Sequence, residues 1–119
     1  MKTENKIVEL TFDFSIKIIS LYKQLIQQNE YVMSKQLLRS ATSVGANVEE
    51  ANAAQTKKDF ITKMSIASKE ARESKYWLRL LDKSQIVRLD YSIYLTSVEH
   101  IINILTKIVK TSQESLNPK

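Results

Sequence analysis

Hydrophobic residues recur every three or four positions in four separate segments of the chain, the spacing that places side chains on one face of an α-helix. The first segment extends from about residue 4 to 28, and further large hydrophobic residues widen its apolar stripe. A face of this width predicts that the helix packs against more than one neighbour. The stripe comprises Ile7, Leu10, Phe14, Ile18, Leu21 and Leu25, and it is widened by Phe12, Ile16, Ile19 and Ile26.

The second segment is rich in small residues. It is predicted to begin near Ser34, whose hydroxyl is a candidate N-cap, and to end near Gln55. Because small side chains lie all round this helix, other helices can approach it on several sides, and a central position in the fold follows. These small residues are Ala41, Gly45, Ala46, Ala51, Ala53 and Ala54.

The third segment is predicted to form a helix that ends at about Lys83. Thr56 and Asp59 precede it with the spacing of a capping box, although Glu or Gln is the usual residue where Asp59 stands. Hydrophobic and small residues then alternate at spacings of four and three, which predicts a continuous core strip. This strip comprises Phe60, Met64, Ala67, Ala71, Ser74, Leu78 and Leu81.

The fourth segment follows a short apolar connection and a candidate cap, Asp90. Its apolar residues recur from Tyr91 to Val109, whereas polar residues and one proline dominate residues 111–119. We therefore predict one domain over residues 1–110 and a disordered C-terminal tail over residues 111–119. Short connections between long helices predict antiparallel neighbours, so the expected fold is all-α, an antiparallel up-down-up-down four-helix bundle.

Positive charge concentrates on the third helix. The net charge is +5, and residues 56–83 carry eight basic and four acidic side chains, while residues 1–33 and 34–55 each balance to zero. A single arc opposite the core strip contains Lys58, Lys69, Arg72, Tyr76, Arg79 and Lys83. A basic stripe with one aromatic residue is either a solvated helix face or a surface that binds nucleic acid.

A second edge of the same helix is apolar. Ile66, Trp77 and Leu80 lie between the core strip and the basic stripe, where they are predicted to form an oligomer interface. Trp77 has three possible roles at this stage: filler within one bundle, an anchor between subunits, or a platform on which a base stacks. The sequence leaves these alternatives open.

A polar stripe follows the second helix at spacings of four, four and three. It comprises Arg39, Ser43, Asn47 and Glu50. Because a cation, two short polar groups and a carboxylate can satisfy one another, a structural polar network is favoured over a binding or catalytic role.

Residues that could carry out catalysis are scarce. The chain has no cysteine and a single histidine, His100, which is expected at the surface. A di-iron site in a helical bundle would need two Glu-x-x-His pairs, so neither a metal nor another cofactor is predicted. Glu70 and Glu73 are expected to pair with cations of their own helix, Lys69, Arg72 and Lys75. We therefore predict that the protein is not an enzyme.

Several runs of the sequence resemble the four-helix bundle proteins encoded by intervening sequences in bacterial 23S rRNA genes. They are residues 36–41 (QLLRSA), 43–51 (SVGANVEEA), 58–61 (KDFI), 68–74 (SKEARES) and 76–81 (YWLRLL). The resemblance covers nearly the whole chain and implies a homopentamer. The same broad family includes the accessory variability determinant of diversity-generating retroelements, so the resemblance also implies RNA and a reverse transcriptase as partners.

Taken with the charge distribution, this resemblance leads to the hypothesis of an oligomeric helical scaffold that binds RNA or DNA through its third helix. The alternative is a protein–protein interaction module that does not bind nucleic acid. The N-terminal segment is charged and amphipathic, unlike a signal peptide, and no apolar run is long enough to span a membrane. A cytoplasmic location without a membrane partner is therefore expected.

Overall fold

Four α-helices joined by short connections account for residues 2–117, the part of the chain described by the computed structural model, with side chains described over residues 6–117. The helices are α1 (Lys2–Gln27), α2 (Met33–Asn52), α3 (Lys57–Ser84) and α4 (Ser92–Leu116). Residues 2–117 contain no strand. The predicted all-α class is confirmed, and the predicted helix boundaries differ from the observed ones by a few residues, except at the C-terminus.

Each helix packs against two neighbours in a closed cycle, α1 on α2, α2 on α3, α3 on α4 and α4 on α1. Contacts between side chains show that sequential helices run antiparallel. Arg39 near the start of α2 faces Glu73 towards the end of α3, while Glu50 near the end of α2 faces Lys63 near the start of α3. The bundle is a rod of 52 × 23 × 22 Å. The predicted four-helix bundle is therefore confirmed.

The core combines long aliphatic side chains from α1 and α4 with small residues from α2 and α3. Ala41, Ala67 and Ala71 are fully buried, and small side chains allow the helices to approach closely. Gly45 is buried where α2 crosses α1, and a Cβ added there would lie 3.4 Å from both the Ser15 Oγ and the Thr11 carbonyl oxygen. The predicted small-residue helix thus lies against both α1 and α3.

The start of α2 differs from the prediction. Ser34 is not the N-cap, because α2 begins at Met33 and the Ser34 hydroxyl donates to the Glu30 carbonyl at 2.7 Å. The buried Glu30 carboxylate instead accepts from the backbone N–H groups of Val32, Met33 and Ser34, at 3.0, 2.9 and 2.6 Å. It satisfies amides that have no partner within the helix, as an N-cap would.

The predicted cap of α3 is confirmed, since the Thr56 hydroxyl accepts from the Asp59 N–H at 3.0 Å. Asp90 is not the N-cap of α4, which is Tyr91, but its carboxylate accepts from the Ser92 N–H at the start of that helix, at 3.0 Å. In the connection between these helices Val87 is buried, as expected for an apolar segment that folds back on the bundle.

The predicted C-terminal tail is largely helical. α4 continues to Leu116, so residues 111–116 extend the helix, while residues 118 and 119 lie outside the described residues. This end of α4 runs beside the beginning of α3, where the Lys57 ammonium donates to the Ser115 hydroxyl at 3.1 Å. The polar side chains that suggested disorder lie mostly on the exposed side of a helix that α3 continues to support.

Candidate nucleic-acid interface on the third helix

The outer face of α3 carries the predicted cations. We call Lys58, Lys69, Arg72, Tyr76, Arg79 and Lys83 the basic surface, and all six are exposed. The helix presents them to solvent because its opposite face, from Met64 to Leu81, is buried in the core. The predicted placement of this stripe is therefore observed, while its role in binding stays a prediction.

Two of the four carboxylates of α3, those of Glu70 and Glu73, lie on the flank that faces α2. Glu70 and Glu73 were expected to pair with cations of α3, but both pair with Arg39 of α2, Glu70 at 3.3 Å. The Trp77 indole N–H also donates to Glu73, at 3.0 Å. The hydrogen bond from Trp77, followed by the one from Arg39, lowers the pKa of Glu73. Both carboxylates are therefore engaged on the flank away from α4.

On the other flank, two polar side chains in the second half of α3 contact α4, in addition to Lys57 at its start. Arg72 donates from Nη2 to the Thr106 hydroxyl at 3.1 Å, and the Lys75 ammonium pairs with Glu99 at 2.6 Å. Lys110 of α4 lies beside Arg72 in the groove between the two helices. The sequence analysis missed Lys110 as part of this surface, because only the packing of α4 against α3 brings it there.

The two adjacent aromatic residues of α3 have different environments. Tyr76 is 53% exposed, while Trp77 is half-buried and packs against the core. Their rings meet edge to face, with centroids 5.2 Å apart. Within one chain Trp77 therefore packs partly against the core and donates a hydrogen bond. The ring of Tyr76 is exposed to solvent.

Apolar side chains of α3 and of α1 reach the surface, among others. On α3, Ile66 and Leu80 are 37% and 36% exposed, at the edge predicted to form an interface. On α1, Phe12 and Ile16 are 60% and 52% exposed, beside a groove of about 390 Å³ that Gly45 and other residues of α1 and α2 line. The sequence placed these α1 residues on a broad face but did not identify them as an exposed patch.

The polar stripe on α2 does not bond as one network. The Asn47 amide donates to the Ser43 hydroxyl at 3.1 Å and to its carbonyl at 2.9 Å. Arg39 and Glu50 instead form ion pairs with α3, the latter with Lys63 at 3.0 Å. The stripe therefore connects α2 to α3.

A buried hydroxyl pair, which the sequence analysis missed, also connects α2 to α3. The oxygens of Ser40 and Ser74 are 2.8 Å apart. Each hydroxyl also contacts a carbonyl of its own helix, that of Leu37 for Ser40 and that of Glu70 for Ser74. Since each hydroxyl has one hydrogen, two of these three contacts can be hydrogen bonds at the same time, and both hydroxyls find an acceptor within the bundle.

The arrangement of side chains favours electrostatic binding. His100 is exposed, as predicted, and residues 6–117 contain no cluster of three or more His, Cys, Asp or Glu side chains that could hold a metal ion. None of the described helices is long and apolar enough to cross a membrane. The basic surface presents five cations and an aromatic ring to solvent, groups that suit anions and flat apolar surfaces.

The chain is similar to a family of proteins and to a solved structure. The family model described as 23S rRNA-intervening sequence protein matches residues 3–107. A crystal structure of a protein with unknown function from the S23 ribosomal protein family of Bacteroides thetaiotaomicron VPI-5482 is 44% identical, with a TM-score of 0.86. The match covers 91% of this chain and 98% of that one. No curated protein matches the chain.

Proposed function

Because the chain belongs to the 23S rRNA-intervening sequence protein family, we propose that it is a non-enzymatic scaffold that self-assembles and binds RNA or DNA through the basic surface of α3. The observation that carries this proposal is the separation of charge on α3. The five cations of the basic surface are exposed on the outer face, while Glu70 and Glu73 are paired with Arg39 on the flank towards α2. Phosphate groups that approach the outer face therefore meet uncompensated positive charge.

Such a surface favours binding that depends on charge. Each phosphate that a Lys or Arg neutralises releases condensed counterions, which gives an affinity that falls steeply with salt and depends little on base sequence. The exposed Tyr76 ring adds a flat apolar surface on which an unpaired base can stack. A cytoplasmic location, where RNA partners occur, is part of the proposal.

Self-assembly is supported by the apolar side chains at the surface. Leu80 lies one turn from the half-buried Trp77 on α3 and Ile66 lies about three turns before it, while Phe12 and Ile16 protrude from α1. Exposed apolar side chains that cluster on one helix face mark interaction sites in many proteins. The family resemblance implies five copies arranged as a ring, which would repeat the basic surface around a symmetry axis.

A second function is supported by the exposed residues of α1. Phe12 and Ile16, with Ile19 beside them, present more apolar surface than the α3 edge does. This observation favours a protein–protein interaction module, with a reverse transcriptase or another protein as the partner that docks there. In that case the basic surface would be a solvated helix face only.

A gel-shift titration with single-stranded RNA and duplex DNA, at low and moderate salt, distinguishes the two functions. We expect binding at low salt by the parent, and its loss when Arg72 and Arg79 are both changed to Glu. The matched control changes Lys23 and Lys35, exposed on α1 and α2, to Glu. This control alters the net charge equally, so it should retain most of the binding. Absence of binding by the parent would leave only the protein-interaction function.

A further inference from the structure

A groove between α3 and α4 is lined by polar side chains that are either basic or uncharged. It has a volume of about 260 Å³, and its lining includes Ser65, Ser68, Arg72, Thr106, Lys110 and Gln113. Among the described lining residues there is no carboxylate. The groove therefore offers two cations, the hydroxyls of Ser65 and Ser68 and an amide as donors, a set of groups that suits an anion with several acceptor oxygens.

Two successive hydrogen bonds, from Arg72 to Thr106 and from Thr106 to Ile102, hold Arg72 across this groove. The Thr106 hydroxyl donates its hydrogen to the Ile102 carbonyl at 2.7 Å, so its oxygen is left to accept from Arg72 Nη2 at 3.1 Å. This contact uses one of the five N–H groups of the guanidinium. These two hydrogen bonds restrict the Arg72 side chain at one nitrogen and leave its other N–H groups available to an anion. Because the side chain is already restricted, it loses less conformational entropy when the anion binds.

The carboxylates that form ion pairs with α3 near this groove lie outside its lining. Glu99, the acidic residue of α4 that contacts α3, pairs with Lys75 at 2.6 Å. Glu70 and Glu73 pair with Arg39 on the opposite flank of α3. Arg72 and Lys110 therefore face the groove without a carboxylate between them among the described side chains.

We propose that this groove is a phosphate subsite that takes the backbone of a single-stranded nucleic acid, with Arg72 and Lys110 on either side of one phosphodiester. The inference rests on the proposed function and specifies where and in what form the ligand binds. A single strand is favoured because Tyr76, one helical turn beyond Arg72, is exposed and can stack on a base that is not paired. In a duplex the bases are stacked and paired, so Tyr76 could not contribute.

The test measures the affinity of the full-length protein for a fluorescent 20-nucleotide thymidine strand and for a duplex of the same length, by anisotropy over a range of salt concentrations. Lys110→Gln removes a groove cation, and Lys107→Gln is the matched control, since Lys107 is an exposed lysine on α4 outside the groove lining. Both variants lose one charge at nearly the same place. A difference between them therefore reports a direct contact.

We expect Lys110→Gln to weaken binding of the single strand roughly three- to tenfold and to reduce the magnitude of the salt slope by about 0.7, the value for one lost phosphate contact on a single strand. Lys107→Gln should change affinity less than twofold and leave the slope intact. Arg72→Lys keeps the charge but loses the bond to Thr106 and the planar fork, so it should also weaken binding. Circular dichroism verifies that each variant remains helical.

Two outcomes would contradict the proposal that this groove is a phosphate subsite. If Lys107→Gln and Lys110→Gln weaken binding equally, or if the parent prefers the duplex, the groove is not the site, although the proposed nucleic-acid binding stands. If the parent binds neither ligand at low salt, the proposed function and the subsite fail together. The two failures are thus distinguishable in one set of titrations.

Discussion

Glu73 joins two helices through a single carboxylate. It accepts hydrogen bonds from the Trp77 indole, one turn along α3, and from Arg39 on α2. Such bonds favour the charged form of a carboxyl group, which is why the pKa of Glu73 is lowered. The same residue thus orients the half-buried tryptophan and pairs with the cation of α2, so its charge state bears on the stability of the α2–α3 interface.

The stability of the protein should depend on pH through this carboxylate. A group with a lowered pKa in the folded state contributes stability that is fully present above the unfolded pKa, about 4.3 for Glu, and is lost as pH falls through the folded pKa. Glu73→Gln should therefore lower stability at neutral pH and flatten the decline below pH 5. Urea unfolding between pH 3 and 7 measures both effects, and Glu49→Gln, on the exposed face of α2, is the control. Parallel curves for parent and Glu73→Gln would contradict this role.

At the scale of elements, the crossing of α1 and α2 depends on Gly45. This glycine lies in the middle of α2, where it lowers helix propensity by roughly 0.5–1 kcal/mol relative to alanine. The absence of a side chain at Gly45 allows the backbones of α1 and α2 to approach closely. A Cβ added there would be 3.4 Å from the Thr11 carbonyl oxygen and from the Ser15 hydroxyl. That distance is at the tight end of ordinary contact for one methyl group, so further methyl groups directed towards α1 would overlap it.

The change in the free energy of unfolding should therefore depend on the size of the side chain that replaces Gly45. We expect Gly45→Ala to change the free energy of unfolding by less than about 1 kcal/mol, because its gain in helix propensity offsets the tight contact. Gly45→Val should lose roughly 1–3 kcal/mol, since its extra methyl groups would overlap α1. Ala46→Val is the control, because this neighbour is exposed on the outer face of α2. Equal losses for Gly45→Val and Ala46→Val in urea unfolding would indicate that helix propensity alone is responsible.

At the scale of the whole molecule, one bundle presents a limited basic surface on one side of a narrow rod. Its six members extend along α3 from Lys58 to Lys83, so a single copy would offer a strand few phosphate contacts. Assembly would repeat this surface, and a strand that reaches several copies would gain avidity without any new kind of contact. Assembly and binding are therefore expected to be coupled.

The coupling can be tested with Ile66→Ser combined with Leu80→Ser, two changes at partly exposed positions that should leave the core intact. We expect light scattering to report a reduced mass, and affinity for a long strand to fall by about 10²-fold or more. Affinity for a strand that spans one copy should change little. Ile93→Ser, at an exposed position of α4, is the control. A parent protein that is monomeric at all concentrations would rule out the assembly.

The sequence by itself determined the features that repeat with the period of a helix. The number of helices, the buried face of each and the exposed arc of cations on α3 follow from side chains that recur every three or four residues, because a helix places such residues on one side whatever it packs against. The cap at Thr56 was predictable as well, since a cap bonds only to the turn that follows it.

Only the tertiary structure decided which side chains meet across helices. Glu73 has cations close to it in sequence, yet it pairs with Arg39, because it projects from the flank that packs on α2. Lys110 joins Arg72 in one groove because α4 runs antiparallel beside α3 with a particular register. A shift of one residue rotates a helix face by about 100°, so these pairings depend on how the whole core packs, and no local pattern in the chain specifies them.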